Sequence, residues 1–184
     1  WGRGSITERA VWNLGWCGVS RSGPRGLIRR RAGMGFSKLS QRYGDDSVAE
    51  YVEPDVIANA PELHSLGLDT VARTHRAYTE LSEKLLAKFA DEPDKTARRK
   101  NARQAARSVL PNATETKIFV TANARALRHF LEQRGSRHAE PEIRRLANHL
   151  LELLQGESQN LFGDYTRTPL PDGSFEIGTA FRKV

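Results

Sequence analysis

The strongest constraint on the fold is a run from Pro61 to Phe89 in which Leu63, Leu66, Thr70, Val71, Thr74, Tyr78, Leu81, Leu85 and Phe89 recur at three- and four-residue steps. That spacing keeps one stripe on one side of a 3.6-residue repeat, so it predicts a single long helix. The segments around it are shorter. Asp94 to Leu110 reads as a basic helix stopped by Pro111, with Arg103 and Arg107 four apart on one face. Thr116 to Thr121 is a strand candidate rich in β-branched residues. Asn123 can cap a helix that runs to Arg134 and ends at Gly135. Ala139 to Leu154 is a further amphipathic helix with Ile143, Leu146, Leu150 and Leu153 inward. Pro171-Asp172-Gly173 is a turn signal between two short edge strands.

The first sixty residues are less regular. Ser5-Ile6-Thr7-Glu8 has the form of a capping box. Ala10 to Gly18 is apolar and aromatic, which suits a buried strand or a short helix and predicts a buried, inert Cys17. Gly23, Pro24 and Gly26 oppose a regular helix, and Gly33 to Phe36 reads as a flexible loop. With 184 residues the chain is expected to form one domain, 1–184, of α+β class.

Charge is unevenly distributed. The net charge is +7, yet Arg21 to Arg42 holds seven Lys or Arg and no acid, while Tyr43 to Ala72 holds seven Asp or Glu and no Lys or Arg. Concentrated positive charge predicts an anion site, and on composition alone a nucleic acid leads the candidate partners. The single cysteine allows no internal disulfide and suits a reducing, cytoplasmic setting. No apolar run approaches the roughly 20 residues of a membrane span.

Familiar catalytic patterns are scarce. The sequence has no glycine-rich phosphate loop and no His or Cys pair at metal-ligand spacing, so no metal site is expected. What remains is an excess of fixed donors: Arg29-Arg30-Arg31, Ser40-Gln41-Arg42, Arg103 with Arg107, Arg125 with His129, and Arg134. A guanidinium is a planar fork that stays charged, suited to phosphate and to a pyrimidine edge. Such residues position and polarise; the reactive group would come from a cofactor.

Three blocks of these residues carry a likeness to a known family. Leu27 to Tyr43 resembles the R-H-R signature of flavin-dependent thymidylate synthases with its downstream S-x-R-Y. Ala106 to Phe130, followed by Arg134 and His138-Ala139-Glu140, is similar to the family's second block, and Gly2-Arg3-Gly4-Ser5 with Glu8-Arg9 to its G-H-x-S-x-x-E-H segment. The resemblance implies an α+β fold of long helices on a twisted, mainly antiparallel sheet. It also implies a homotetramer with sites between subunits, and conversion of dUMP to dTMP with methylenetetrahydrofolate and FAD reduced by NADPH. By position, Arg29, Ser40, Gln41, Arg42, Arg107 and Arg134 would hold the nucleotide, with Arg134 and Ser40 at the reacting ring. Ser5, Glu8, Arg29, Arg30, Arg31, Lys38, Asn123, Arg125, His129 and His138 would face the cofactor.

The chain departs from that pattern at several points. The central His of R-H-R is Arg30, two N-terminal histidines are Arg3 and Arg9, Gly26 stands for a Gln or Glu, and Lys38 replaces a common Glu or Gln. Arg31 to Ser40 is one residue longer than usual, and the family's first N-terminal segment is expected to be missing. Such changes suit a paralogue acting on UMP as well as one acting on dUMP. Two other readings stay open: a catalytically silent nucleotide-binding paralogue, and a module that grips single-stranded nucleic acid through Arg21–Arg42 with Phe36, Tyr43 and Tyr51. With the family likeness, a nucleic-acid partner is no longer the expectation.

Overall fold

Strand alternation and helical period both appear where the residues dictate them, in a computed structural model that describes residues 5–23, 32–38 and 50–182. A 3-10 turn, Ile6–Glu8, leads into β1, Val11–Ser20. β2 is Met34–Lys38 and β3 is Glu115–Asn123; in their three-stranded sheet β3 lies between β1 and β2. Along β3 the residues alternate cleanly, with Thr116, Ile118, Val120 and Ala122 buried and Lys117, Phe119 and Thr121 exposed. On β1 Leu14 and Trp16 are buried, but the phase shifts by one before Val19. The shift occurs at Gly18, whose φ of 68° is the left-handed conformation typical of a bulge.

The long helix is present as α1, Pro61–Lys88. α2, Lys95–Ala106, begins at Asp94, whose carboxylate accepts from the Thr96 N–H at 2.8 Å. A 3-10 turn, Arg107–Val109, follows and ends before Pro111. α3 is Ala124–Arg134 and α4 is Pro141–Glu157. Two single helical turns, Asp55–Ala58 and Gln159–Phe162, complete the helical parts, and β4, Tyr165–Pro169, pairs antiparallel with β5, Phe175–Thr179, across the Pro171-Asp172-Gly173 turn. The class is α+β with antiparallel sheets, as expected.

The described residues fall into two compact units, one from 5–15, 32–37 and 119–182, the other from 16–23, 38 and 50–118. In the first, Leu127, Leu131, Leu151, Leu154, Phe162 and Ile177 are sealed from solvent. In the second, Tyr78 of α1 packs with Ala106 and Leu110, flanked by Leu85 and Val109.

Several expectations need correction. Ser5 makes no side-chain cap, because the Ile6–Glu8 segment closes as a 3-10 turn and the Glu8 carboxylate is engaged elsewhere. Gly33 to Phe36 is not a loop: Gly33 makes a turn with φ 72°, and the chain from Met34 pairs into the sheet. Cys17 is exposed, since an apolar run folded as a strand still sends alternate side chains to opposite faces. Leu153 of α4 is half exposed, with Leu151 and Leu154 buried instead, so the inward face is rotated from the predicted one. The stripe on α1 is the largest surprise. Among its described residues only Tyr78 is buried, and Leu63, Leu66, Leu68, Leu81 and Leu86 stay exposed.

Candidate functional site

Within the first unit, residues from three separate stretches of sequence meet at the start of α3. Asn123 ends β3 in an extended conformation, and its side-chain oxygen accepts from the Ala126 N–H at 2.9 Å, which caps α3. The Asn123 N–H donates to the Gly33 carbonyl at 3.0 Å, and the Ala124 N–H to the Ala10 carbonyl at 2.8 Å. A Cβ on Gly33 would fall 2.8 Å from the Asn123 amide, so only glycine permits this approach. One residue into the helix, the exposed Arg125 donates to the Glu8 carboxylate at 2.5 Å, across 117 positions of sequence. The first turn of α3 thus carries an amide, a guanidinium and a carboxylate at the positive end of the helix dipole.

His129 lies one turn beyond Arg125 and is half-buried, whereas His138 lies past the helix and is exposed. Arg134 occupies the last turn of α3 and is half-buried. Nine residues separate it from Arg125, or about 14 Å of helix rise. In one chain, therefore, Arg125 and Arg134 stand at opposite ends of α3.

The second unit holds a different arrangement. Arg107 opens the 3-10 turn after α2 and is half-buried. Just beyond it, the Pro111–Thr114 turn is closed by the Thr114 N–H and hydroxyl, both donating to the Pro111 carbonyl. The Arg21 N–H donates to the carbonyls of Asn112 and Thr114 at 2.9 and 3.0 Å, which fixes the end of β1 against this turn. From the other side Val52 donates to Ala113, and Glu115 to Glu50, around a Tyr51–Thr114 bridge. Tyr51 in turn meets His75 Nδ1 at 3.0 Å, and Glu53 pairs with His64 at 2.8 Å, tying this stretch to α1. Lys38, at the end of β2, has its pKa held below the usual lysine value by loss of hydration and by the positive fields of Arg21 and Arg107.

Other arginines are structural. Arg128 makes a bidentate pair with Asp164 at 2.6 and 2.7 Å, donates to the Leu161 carbonyl, and lies 4.5 Å from the centre of the Tyr165 ring. Burial alone would raise the Asp164 pKa, but the hydrogen bonds from Arg128 and Thr179 hold it below the ordinary aspartate value. Arg144 is buried against Ser174, Asp172 and two backbone carbonyls.

Of the residues singled out by sequence, Ser5, Glu8, Asn123, Arg125, His129 and His138 fall in the first unit, with Arg134, while Lys38 and Arg107 fall in the second. Arg29, Arg30, Arg31, Ser40, Gln41 and Arg42 lie outside the described residues. Sequence reasoning missed Arg21 and Thr114. Arg21 had a signal, as the first cation of the acid-free run; Thr114 had none, because its role is a set of backbone pairings.

Comparison with known proteins gives consistent matches. The profile of the family described as "Thymidylate synthase complementing protein" matches residues 2–158. The chain is 47% identical over 179 residues to a flavin-dependent thymidylate synthase of Mycolicibacterium gilvum, covering 97% of this chain and 71% of that protein. A flavin-dependent thymidylate synthase of Corynebacterium diphtheriae is 48% identical over 157 residues, covering 85% of this chain and 62% of its own length. The corresponding protein of Mycobacterium marinum is 44% identical over 179 residues, with 97% and 71% covered.

Proposed function

Because the chain belongs to the flavin-dependent thymidylate synthase family, described also as the thymidylate synthase complementing proteins, we propose that it methylates dUMP to dTMP at ring carbon 5. The methylene group would come from methylenetetrahydrofolate, with FAD as cofactor and NADPH as reductant. The observation that carries the reading is the junction at the start of α3, where Glu8, Gly33, Asn123 and Arg125, one or two residues from each block of the family pattern, come together.

The residues present there fit a flavin dinucleotide. Its diphosphate is anionic, and the junction offers an exposed guanidinium, an amide and the positive end of a helix, with the Glu8 carboxylate available to accept from ribose hydroxyls. Asn123, Arg125 and His129 would hold the cofactor, joined by Ser5, Glu8 and His138 and by Arg29, Arg30 and Arg31 of the central block. When bound, the flavin supplies the hydride that nucleotide methylation requires. The chain's own task is positioning: Arg107, with Ser40, Gln41 and Arg42, grips the nucleotide phosphate, and Arg134 stabilises negative charge that develops on the pyrimidine.

Arg125 and Arg134 at opposite ends of α3 support a site assembled from more than one copy of the chain. So do the leucines that α1 leaves exposed, which suit burial between copies in a homotetramer. No helix among the described residues is long and apolar enough to cross a membrane, and we assign the activity to the cytoplasm.

The test is direct. Purified protein should take up FAD with a shifted flavin spectrum and form dTMP from dUMP when the folate donor and NADPH are present; a UMP arm reads the ribose preference. Protein that FAD cannot titrate would sink the assignment. Arg107→Ala should weaken dUMP binding by about 10- to 100-fold, the worth of one charge-assisted contact, while leaving FAD affinity nearly unchanged. Equal loss of both ligands would remove Arg107 from its assigned role.

A further inference from the structure

We infer that the β4–β5 hairpin is a positioning device for the reaction: it grips the C-terminal end of α3 and so fixes Arg134, with Gly135, Ile177 and Tyr165 as the positioning residues. The inference rests on the role of Arg134 proposed above; the grip itself rests on geometry alone. It begins with a glycine. Gly135 directly follows Arg134, and its φ of −82° is open to any residue, so backbone freedom does not call for glycine here. Room does. A Cβ on Gly135 would fall 2.5 Å from Ile177 Cβ and 2.6 and 2.7 Å from its Cδ1 and Cγ1. Ile177 of β5 is sealed from solvent, and its N–H donates to the Gly135 carbonyl at 2.8 Å. The Gly135 N–H stays on the Leu131 carbonyl, also at 2.8 Å, so this residue is held by its helix on one side and by β5 on the other.

The same hairpin ties the chain before and after this point. Upstream, the Tyr165 hydroxyl at the start of β4 lies 3.0 Å from the buried Glu132 carboxylate and 3.2 Å from the Arg128 carbonyl, both acceptors. Downstream, Glu176 of β5 accepts from the Arg137 backbone N–H at 3.3 Å and from its guanidinium at 2.6 Å. Arg144, anchored on Asp172 and Ser174 of the hairpin turn, donates to the carbonyls of Arg137 and Ala139. The stretch from Glu132 to Ala139 is thus bracketed, and Arg134 and His138 both lie inside it. The last carbonyls of a helix have no partners within it, and an untethered end frays. An arginine on a fraying end samples many positions, whereas charge stabilisation at a ring needs one. The first turn of α3 is fixed separately, by the Asn123 cap, the Ala10 carbonyl and Glu8. Loosening the hairpin should therefore disturb one end of α3 and spare the other. The hairpin also lies beyond residue 158, where the family profile stops.

The test compares Gly135→Ala and Tyr165→Phe with the unaltered full chain, by steady-state kinetics, FAD titration and hydrogen exchange. Gly135→Ala forces Ile177 away and should lower kcat about 10- to 100-fold, as a displacement near 1 Å does. The dUMP KM should rise less than about threefold, and FAD affinity should change less than about twofold, because the group lost acts mainly in the transition state. Tyr165→Phe keeps the ring and drops only the hydroxyl, so it carries the test where Gly135→Ala fails to fold; its kcat should fall about threefold. In both variants the amides of 132–138 should exchange faster while those of 124–127 keep their protection. Unchanged kcat in a folded variant overturns the inference, even where the unfolding midpoint falls. Equal losses of kcat and FAD affinity, or faster exchange along the whole of α3, reduce the hairpin to general scaffold and overturn it as well. An unaltered protein that binds FAD and dUMP yet forms no dTMP fails the methylation reading itself, and the inference goes with it. A working enzyme whose variants turn over as fast fails the positioning alone.

Discussion

Arg128, Arg137 and Arg144 face carboxylates at Asp164, Glu176 and Asp172, while Lys38 lies in the positive fields of Arg21 and Arg107. The two groups use the same side chains for opposite ends. Where α3 and α4 meet the β4–β5 hairpin, each guanidinium is matched in charge and geometry, so the arginines lock the hairpin onto the helices. Around Lys38 the neighbouring charges are instead of its own sign, and with loss of hydration they hold its pKa below the usual lysine value. An arginine's function is therefore read from its partner, and the residue type alone is silent.

The contrast can be broken first at its matched side. Asp164→Ala leaves the buried Arg128 guanidinium without its carboxylate and should destabilise the protein by about 3–5 kcal/mol, measured by urea unfolding. A loss below about 1 kcal/mol would show that the pair is not a lock. The same pair predicts a pH dependence. The Asp164 pKa is lower in the folded chain than in the unfolded one, so its stabilisation is full above the ordinary aspartate value of about 4 and disappears as pH falls through the lowered value. Asp164→Asn should flatten that acid limb of the stability profile.

The unmatched side should respond with little change in stability. Arg107→Ala relieves like-charge repulsion at a partly exposed position, and we expect unfolding free energy to change by less than about 1 kcal/mol, or to rise, in the absence of ligand. A loss comparable to that of Asp164→Ala would erase the distinction between the regions. The smallest effect belongs to Glu8→Gln. The Arg125–Glu8 pair is exposed, so its removal should cost under about 1 kcal/mol and should move FAD affinity more than the unfolding midpoint.

Much of the local structure was legible in the residues. Asp94 and Asn123 cap their helices as their side chains require, Gly135 follows the end of α3, and Pro171-Asp172-Gly173 joins two short strands. The errors share one cause. Gly33–Phe36 reads as a loop, and Ala10–Gly18 as strand or short helix, because a short glycine-rich or apolar run carries no period of its own; pairing across the sheet decided both. Leu63, Leu66 and Leu81 marked α1 correctly as a helix but did not say what would cover it, and within one chain they stay exposed.

The sequence by itself determined the family, the order of the elements, the segregation of charge and the residue types able to hold phosphate, because all of these are local in the chain or additive over it. Tertiary structure alone decided which cations meet a carboxylate. Glu8 finds Arg125 across 117 residues and Asp164 finds Arg128 across 36, while Lys38 comes within the fields of Arg21 and Arg107. Charge pairing acts over a few ångströms of space, and only folding sets those distances.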